Sequence, residues 1–338
     1  MKNDFLKGIL LIAISLSLTY CSKDSSTEAI PETQNTQQNP KVYRNCGTSE
    51  HMAKAIAKNP KYKNTKNAIE KQVKQYETDL ENGAKQRNIT FTIPVVVHVI
   101  YKDKKDNISK EQIQSQIDVL NQDFSKKNTD AGQVPKSFSS LVADAGIQFK
   151  LDKVNRVSTK VDRWNGDDMK SSKKGGADAI DPKTKLNIWV CKIALDRGQE
   201  ILGFAYFPGT VNSKIDGAVI QPQFFGTTGT VSAPFNKGRT GTHEIGHWLN
   251  LEHMWGPDAT NNQKQCDLDD AVADTPNTGG PNFGCPTFPT KSCKTTDMTM
   301  NYMDYVDDKC MYMFSKGQSS RMRSTLVKGG ARVSYVSK

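Results

Sequence analysis

The chain has 338 residues, 36% of them hydrophobic and 24% charged. That apolar content suits one large or two smaller folded domains and excludes a wholly disordered chain. The formal charge of +10 comes from scattered lysines, with KDKK and SKK as the only short clusters and no aromatic-basic motif beside them. A nucleic-acid partner is therefore set aside in favour of a solvated basic surface.

Lys2 and Lys7 precede an apolar run from Gly8 to Tyr20. It is too short to span a bilayer and suits the core of a signal peptide. Cys21 follows at once, with Leu18 three residues before it, and then the polar stretch SKDSSTEAIPETQNTQQNP. The pattern resembles a bacterial lipoprotein signal whose cysteine is lipidated. Tyr20 stands where a small residue is usual, and an ordinary secretory signal is the competing reading. Both readings take the chain out of the cytoplasm and permit disulfides.

Residues 1–21 are thus read as the signal and 22–40 as a flexible tether. In 41–87, Ile69, Val73, Tyr76 and Leu80 recur at helical spacing but stand nearly alone. Such a helix docks on something else instead of folding by itself. His51, in this segment, is expected to be exposed. KQRN at Lys85 to Asn88 suits proteolytic nicking.

A globular pattern begins at Thr90. TFTIPVVVHVIY is nearly continuous in β-formers and predicts a strand, with His98 late in it as a core or near-cleft residue. SKEQIQSQIDVLNQDFS predicts a helix in which Ser109 and Gln112 match a capping box and Ile113, Ile117, Leu120 and Phe124 mark one face. GIQFKLDKV and KLNIWVCKI read as further strands, the second holding Cys191 as a buried free thiol. GFAYFPG and DGAVIQPQFF read as a strand pair, the latter as the cleft edge that holds an extended peptide. Trp255 to Thr299 is loop-like, and a last helix is predicted from Ser315 to about Lys328. Strands, then a helix, then an irregular half that needs staples make an α+β fold.

Thr242 to Gly256 reads THEIGHWLNLEHMWG. On a helix, His243 and His247 lie ~6 Å apart along the axis at ~1.5 Å per residue, so both imidazoles can reach one ion. Glu244 beside them is placed for a water that the metal activates. A continuing helix would carry His253 to the far side. Asn250 tolerates the left-handed conformation, which predicts that the helix ends near Leu249 and that His253 swings back under the metal. The competing reading is a polar, solvent-facing helix.

HEIGHWLNLEH resembles the extended zinc motif H-E-x-x-H-x-x-G-x-x-H of the metzincin metalloproteases, with Asn250 where glycine is usual. NYMDYVDDKCMYMF from Asn301 resembles the methionine turn of that group, with Met303 as its methionine. Together with Cys46-Gly47 upstream and DAVADTP from Asp270, the chain resembles the pappalysin family, in its bacterial cytophagalysin branch, over roughly residues 90–328.

The resemblance implies a metzincin-type zincin catalytic domain over 88–338. It has a twisted mixed sheet and active-site helix in its N-terminal half and an irregular, disulfide-pinned C-terminal half. It further implies zinc on His243, His247 and His253, Glu244 as general base, Met303 as a structural floor, and Tyr305 as support for the oxyanion. Simple packing in the turn is the competing reading for Tyr305. The cysteines would pair Cys266–Cys293 and Cys285–Cys310, each bond contributing roughly 3–4 kcal/mol by loop entropy. Cys46 would be a fourth zinc ligand in the latent form, carried by a removable presegment over 41–87 and released by a cut near Arg87; a leftover free thiol competes. Calcium would bind near Asp270 and Thr275, against a merely solvated acidic loop. Asp307 and Asp308 would make the first primed pocket acidic, selecting Arg or Lys after the scissile bond.

The function so read is a secreted or lipid-anchored zinc endopeptidase, made as a latent zymogen, acting as a monomer on protein or peptide substrates. A non-catalytic binding lipoprotein on a protease scaffold is the first rival, which an intact Glu244 argues against. A zinc amidase acting on non-protein material is the second.

Overall fold

The run of β-formers from Phe91 makes β1, Phe91–Tyr101, in which Ile93, Val95, Val96, Val97, Val99 and Ile100 are all buried. A strand so apolar needs cover on both faces and neighbours on both edges. It has them in the computed structural model, which describes residues 42–83, 89–259 and 263–336. Parallel partners flank β1: β2, Ile147–Ser158, on one side and β3, Leu186–Val190, on the other. β4, Gly203–Ala205, and β5, Ala218–Ile220, complete a five-stranded mixed sheet of order β2-β1-β3-β5-β4. Only β4 runs antiparallel to its neighbour.

The signal stretch and tether, 1–40, lie outside the described residues, as do Lys85 to Asn88 and so the expected cut at Arg87. Two helices come first, α1, Thr48–Lys58, and α2, Tyr62–Glu81. α3, Lys110–Asp123, places Ile113, Ile117, Leu120 and Phe124 in one core with the β1 valines. A one-turn helix α4, Lys136–Ser139, follows. α5, Arg239–Trp248, joins that same core. α6, Lys316–Ser324, stops four residues short of the expected Lys328. From 249 to 314 the chain forms no α-helix or strand longer than a bridge among its described residues. Disulfides Cys266–Cys293 and Cys285–Cys310 cross this half.

Two expectations are corrected. DGAVIQPQFF is not the sheet edge: β5 is buried throughout and lies between β3 and β4, so the edge belongs to β4, from GFAYFPG. Ser109 does cap α3 by accepting from the Gln112 backbone, but no reciprocal bond forms. The buried Gln112 amide is drawn away to the carbonyls of Pro222 and Phe225, at 2.9 and 3.0 Å. A complete capping box stands instead at α6, between Ser315 and Gln318.

The segment from Val42 to α2 is docked, not free-standing. Asn45–Gly47 extends the sheet beyond β4: the Leu202 amide donates to the Asn45 carbonyl and the Gly47 amide to the Gly203 carbonyl, each at 2.9 Å. Met52 and Tyr62 enter the second core beside Trp189, Phe204 and Val219. α2 lies on α6 with Val73 buried, and the Glu70 carboxylate takes a two-pronged bond from the Arg321 guanidinium at 2.6 and 2.8 Å. Glu70→Ala leaves a buried cation short of its partner and is expected to weaken the docking of α2 by about 1–3 kcal/mol. Amide exchange across 62–81 should then quicken while exchange in β1 holds, as hydrogen-exchange mass spectrometry would read.

Candidate metal centre

All ten residues of α5 are buried. The helix starts at Gly238, whose φ of +74° favours glycine. Its first residue, Arg239, anchors it: the guanidinium pairs with Asp123 and with Asp130 and donates to the Tyr302 hydroxyl at 2.7 Å. One side of α5 rests on the methionine turn. A Cβ at Gly246 would lie 2.5 Å from the Met303 sulfur, so a larger residue there would have to push the methionine side chain aside. The helix ends at Leu249. Asn250 takes φ +79°, the Asn250 amide donates back to His247 and the Leu251 amide to Gly246. This is a Schellman cap with asparagine in glycine's place. Arg321 donates to the Asn250 carbonyl at 2.7 Å and pins the turn from outside.

That reversal brings His253 back to the first two histidines. The His247 Nε2 lies 3.1 Å from the Nε2 of His243 and 3.1 Å from that of His253. The nitrogens around a tetrahedral zinc, held at ~2.0–2.1 Å, stand ~3.3 Å apart, so the rings fit one ion. The His243 Nδ1 donates to the Tyr302 carbonyl at 2.8 Å and the His247 Nδ1 to the Leu251 carbonyl at 2.7 Å, which leaves each Nε2 its lone pair. Burial lowers all three pKa values, that of His247 to about 4, so the rings are neutral, the form that binds metal. His253 is stacked on Trp255 at 4.5 Å between ring centroids.

Cys46 joins this cluster. Its sulfur and the three imidazole nitrogens all lie within 4.8 Å of one another, and among the described residues no other set of His, Cys, Asp or Glu groups comes together so. Glu244 is beside them, with the Cys46 thiol donating to its Oε2 at 3.4 Å and the Thr48 hydroxyl at 3.3 Å. Burial pushes Glu244 up to about 8, against the pull of those donors and of Arg44. Burial and the Glu244 charge likewise raise the Cys46 thiol. The Tyr305 hydroxyl donates to the Cys46 carbonyl at 3.4 Å, and its ring packs against His253 and Trp255.

Two residues before Cys46, Arg44 reaches a buried pocket. Its guanidinium donates to Asp308 Oδ1 at 2.5 Å and to the Val306 carbonyl at 3.2 Å, and lies 4.8 Å over the Phe235 ring. The other oxygen of Asp308 accepts from the amides of Lys237 and Arg239. Sequence reasoning nominated Asp307 and Asp308 but missed Arg44 and Thr48; the arginine in YRNCG was the available signal.

In the acidic loop, the Thr275 hydroxyl lies 2.8 Å from both oxygens of Asp270. Asp274 turns away to Ser315 and Gly317. His98 is a core residue, bonded to Asn187 and stacked on Trp189, and Cys191 is a buried free thiol. His51 corrects an expectation: it is 8% exposed, because its ring stacks on Phe204 at 3.6 Å as α1 closes over β4.

Residues 169–327 match the family described as pregnancy-associated plasma protein-A. An extracellular metalloprotease of Arthroderma benhamiae is 31% identical over 265 residues, covering 75% of this chain and 85% of the relative. The chain belongs to the pappalysin metalloproteases. A second relative, an extracellular metalloprotease of Arthroderma gypseum, is 34% identical over 70% of this chain and 73% of its own length. Among solved structures, Tannerella forsythia mature mirolysin in complex with a cleaved peptide superposes with a TM-score of 0.69 and 42% identity, covering 73% of this chain and 96% of that one. A promirolysin mutant of Tannerella forsythia gives 0.76 and 38%, covering 87% and 97%. The protein is thus a metalloprotease, a zinc-dependent hydrolase of peptide bonds, and the histidine cluster is the group that could hold the metal. The two disulfides suit an extracytoplasmic location like that of the relatives.

The buried His51 carries a pH dependence. Burial lowers its pKa to about 4, and Lys170 and Lys54 add to this while Asp167 and Glu50 oppose. A depressed base contributes stability that is complete above its ordinary value near 6.5 and lost as pH falls towards 4. The thermal midpoint of the full-length chain should therefore drop less between pH 6.5 and 4 in His51→Phe, which keeps the stack, than in the parent.

Proposed function

We propose that the chain is a zymogen whose presegment, 41–87, holds the zinc site shut through Cys46, and that its catalytic domain, 88–338, cleaves peptides before arginine or lysine. The observation that carries this is the thiol of Cys46 at the meeting point of three metal-ligand imidazoles, on a strand already paired to β4. A sulfur there takes the position that water needs. The likeness to promirolysin supports a zymogen.

His243, His247 and His253 would hold the ion. When bound, zinc supplies Lewis acidity, which polarises a carbonyl and lowers the pKa of water. Glu244 takes the proton of the attacking water and returns it to the leaving amine. In the latent chain burial raises the Glu244 carboxyl, which works against that role. Departure of Cys46 and Thr48 readmits water and restores the carboxylate. Tyr305 already donates to the carbonyl of a chain lying in the cleft, which supports its use on the oxyanion. Arg44 on Asp308 supports the basic preference: an arginine side chain already fills the pocket next to the metal position. Lipidation at Cys21 is part of the same reading of residues 1–21, and the mass of the mature N-terminal peptide tests it.

With the presegment removed, cleavage of a peptide library should enrich arginine or lysine directly after the cut bond. Glu244→Ala should lower kcat by about 10²–10⁴ while bound zinc, read by metal analysis, is retained, and a chelator should abolish activity. Enrichment of apolar residues after the bond would sink the specificity. For latency, Cys46→Ala in the full-length chain should raise activity before any cut is made. Unchanged latency would place the lock elsewhere.

A further inference from the structure

We infer that Glu252 selects a lysine or arginine side chain on the amino-terminal side of the scissile bond. This rests on the peptidase reading above and adds to it the recognition on the other side of the metal. The presegment passes the histidine cluster at Cys46. Arg44 lies before that point and turns to Asp308, so the residues after Cys46 lie on the opposite side. There a cavity of about 790 Å³ opens along Thr48 to Ile56 and reaches His247 and His253.

A second cation of the presegment, 45% exposed, lines the rim of that cavity. Lys66, on α2, places its Nζ 3.2 Å from Glu252 Oε1. The Glu252 side chain is 16% exposed and sits on the loop between the ligands His247 and His253. Its backbone is fixed relative to the metal site by the Asn250 cap and by Arg321 on the Asn250 carbonyl. When the presegment leaves, Lys66 goes with it and Glu252 stays. The wall that remains carries Asp196, Glu252 and Asp258 with one cation, Arg197, and Phe207 as an apolar surface. A lysine or arginine suits such a wall, since its methylene stem lies on the ring and its charge meets the carboxylate. The presegment thus places a cation on each side of the metal position, Arg44 buried on Asp308 and Lys66 at the exposed rim on Glu252.

The test uses the full-length chain activated by removal of the presegment. Fluorogenic peptides keep arginine after the scissile bond and carry lysine, alanine or glutamate at each of the three positions before it. At one of these positions lysine is expected to exceed alanine by about three- to tenfold in kcat/KM, mostly through KM, with glutamate below both. Rising salt should shrink that ratio. Glu252→Gln should bring lysine and alanine level, and Glu252→Lys should put glutamate first, while the preference for arginine after the bond persists in both. Zinc content and thermal midpoint report whether either variant is misfolded. In that event the parent's own profile and its salt dependence decide the matter. No lysine preference at any of the three positions, or one that survives Glu252→Gln, overturns the inference. Failure of the parent enzyme to cut any of the peptides overturns the peptidase reading instead.

Discussion

The Nε2 atoms of His243, His247 and His253 meet within one coordination sphere only because α5 stops at Leu249 and the chain reverses at Asn250. Much of the C-terminal half serves that reversal. Arg321 holds the Asn250 carbonyl, the Tyr302 and Leu251 carbonyls orient two of the rings, and Met303 fills the space that Gly246 leaves under the helix. Histidines make good ligands only when neutral and aimed, and burial among carbonyl acceptors provides both.

The presegment uses the same site differently. It adds a strand to the sheet edge, puts a thiol among the imidazoles, and meets charges of the catalytic domain with opposite ones: Arg44 on Asp308, Lys66 on Glu252, Glu70 on Arg321. Its own apolar content is thin, so these pairs and a few anchors such as Met52, Tyr62 and Val73 hold it. Lys66–Glu252 and Glu70–Arg321 lie at a part-exposed boundary, whereas Arg44–Asp308 is fully buried, so the proposed release of the segment would break one buried pair as well as two boundary ones.

Elements whose residues face one environment were legible. β1 is apolar on every side, and α3 shows its Ile113–Phe124 face without ambiguity. Errors arose where a residue had two competing uses. Gln112 had the spacing of a capping box, but its amide is buried against carbonyls over a hundred residues away. β4 and β5 both read as short strands, and nothing local says which takes the edge. His51 lies in a polar helix, and its burial depends on Phe204, which the helix meets only after docking.

The sequence alone determined the ligand chemistry: three imidazoles, a carboxylate and a turn-tolerant Asn250 at spacings that a helix and its cap convert directly into geometry. It also determined the strand and helix periods, because those depend on neighbours within a few residues. Only the tertiary structure decided which strand borders the cleft, which partners hold Cys46 at the cluster, and which cations of the presegment sit on Asp308 and Glu252. Those are long-range contacts, set by how the sheet is ordered and by which charges the packing brings face to face, and no local pattern encodes them.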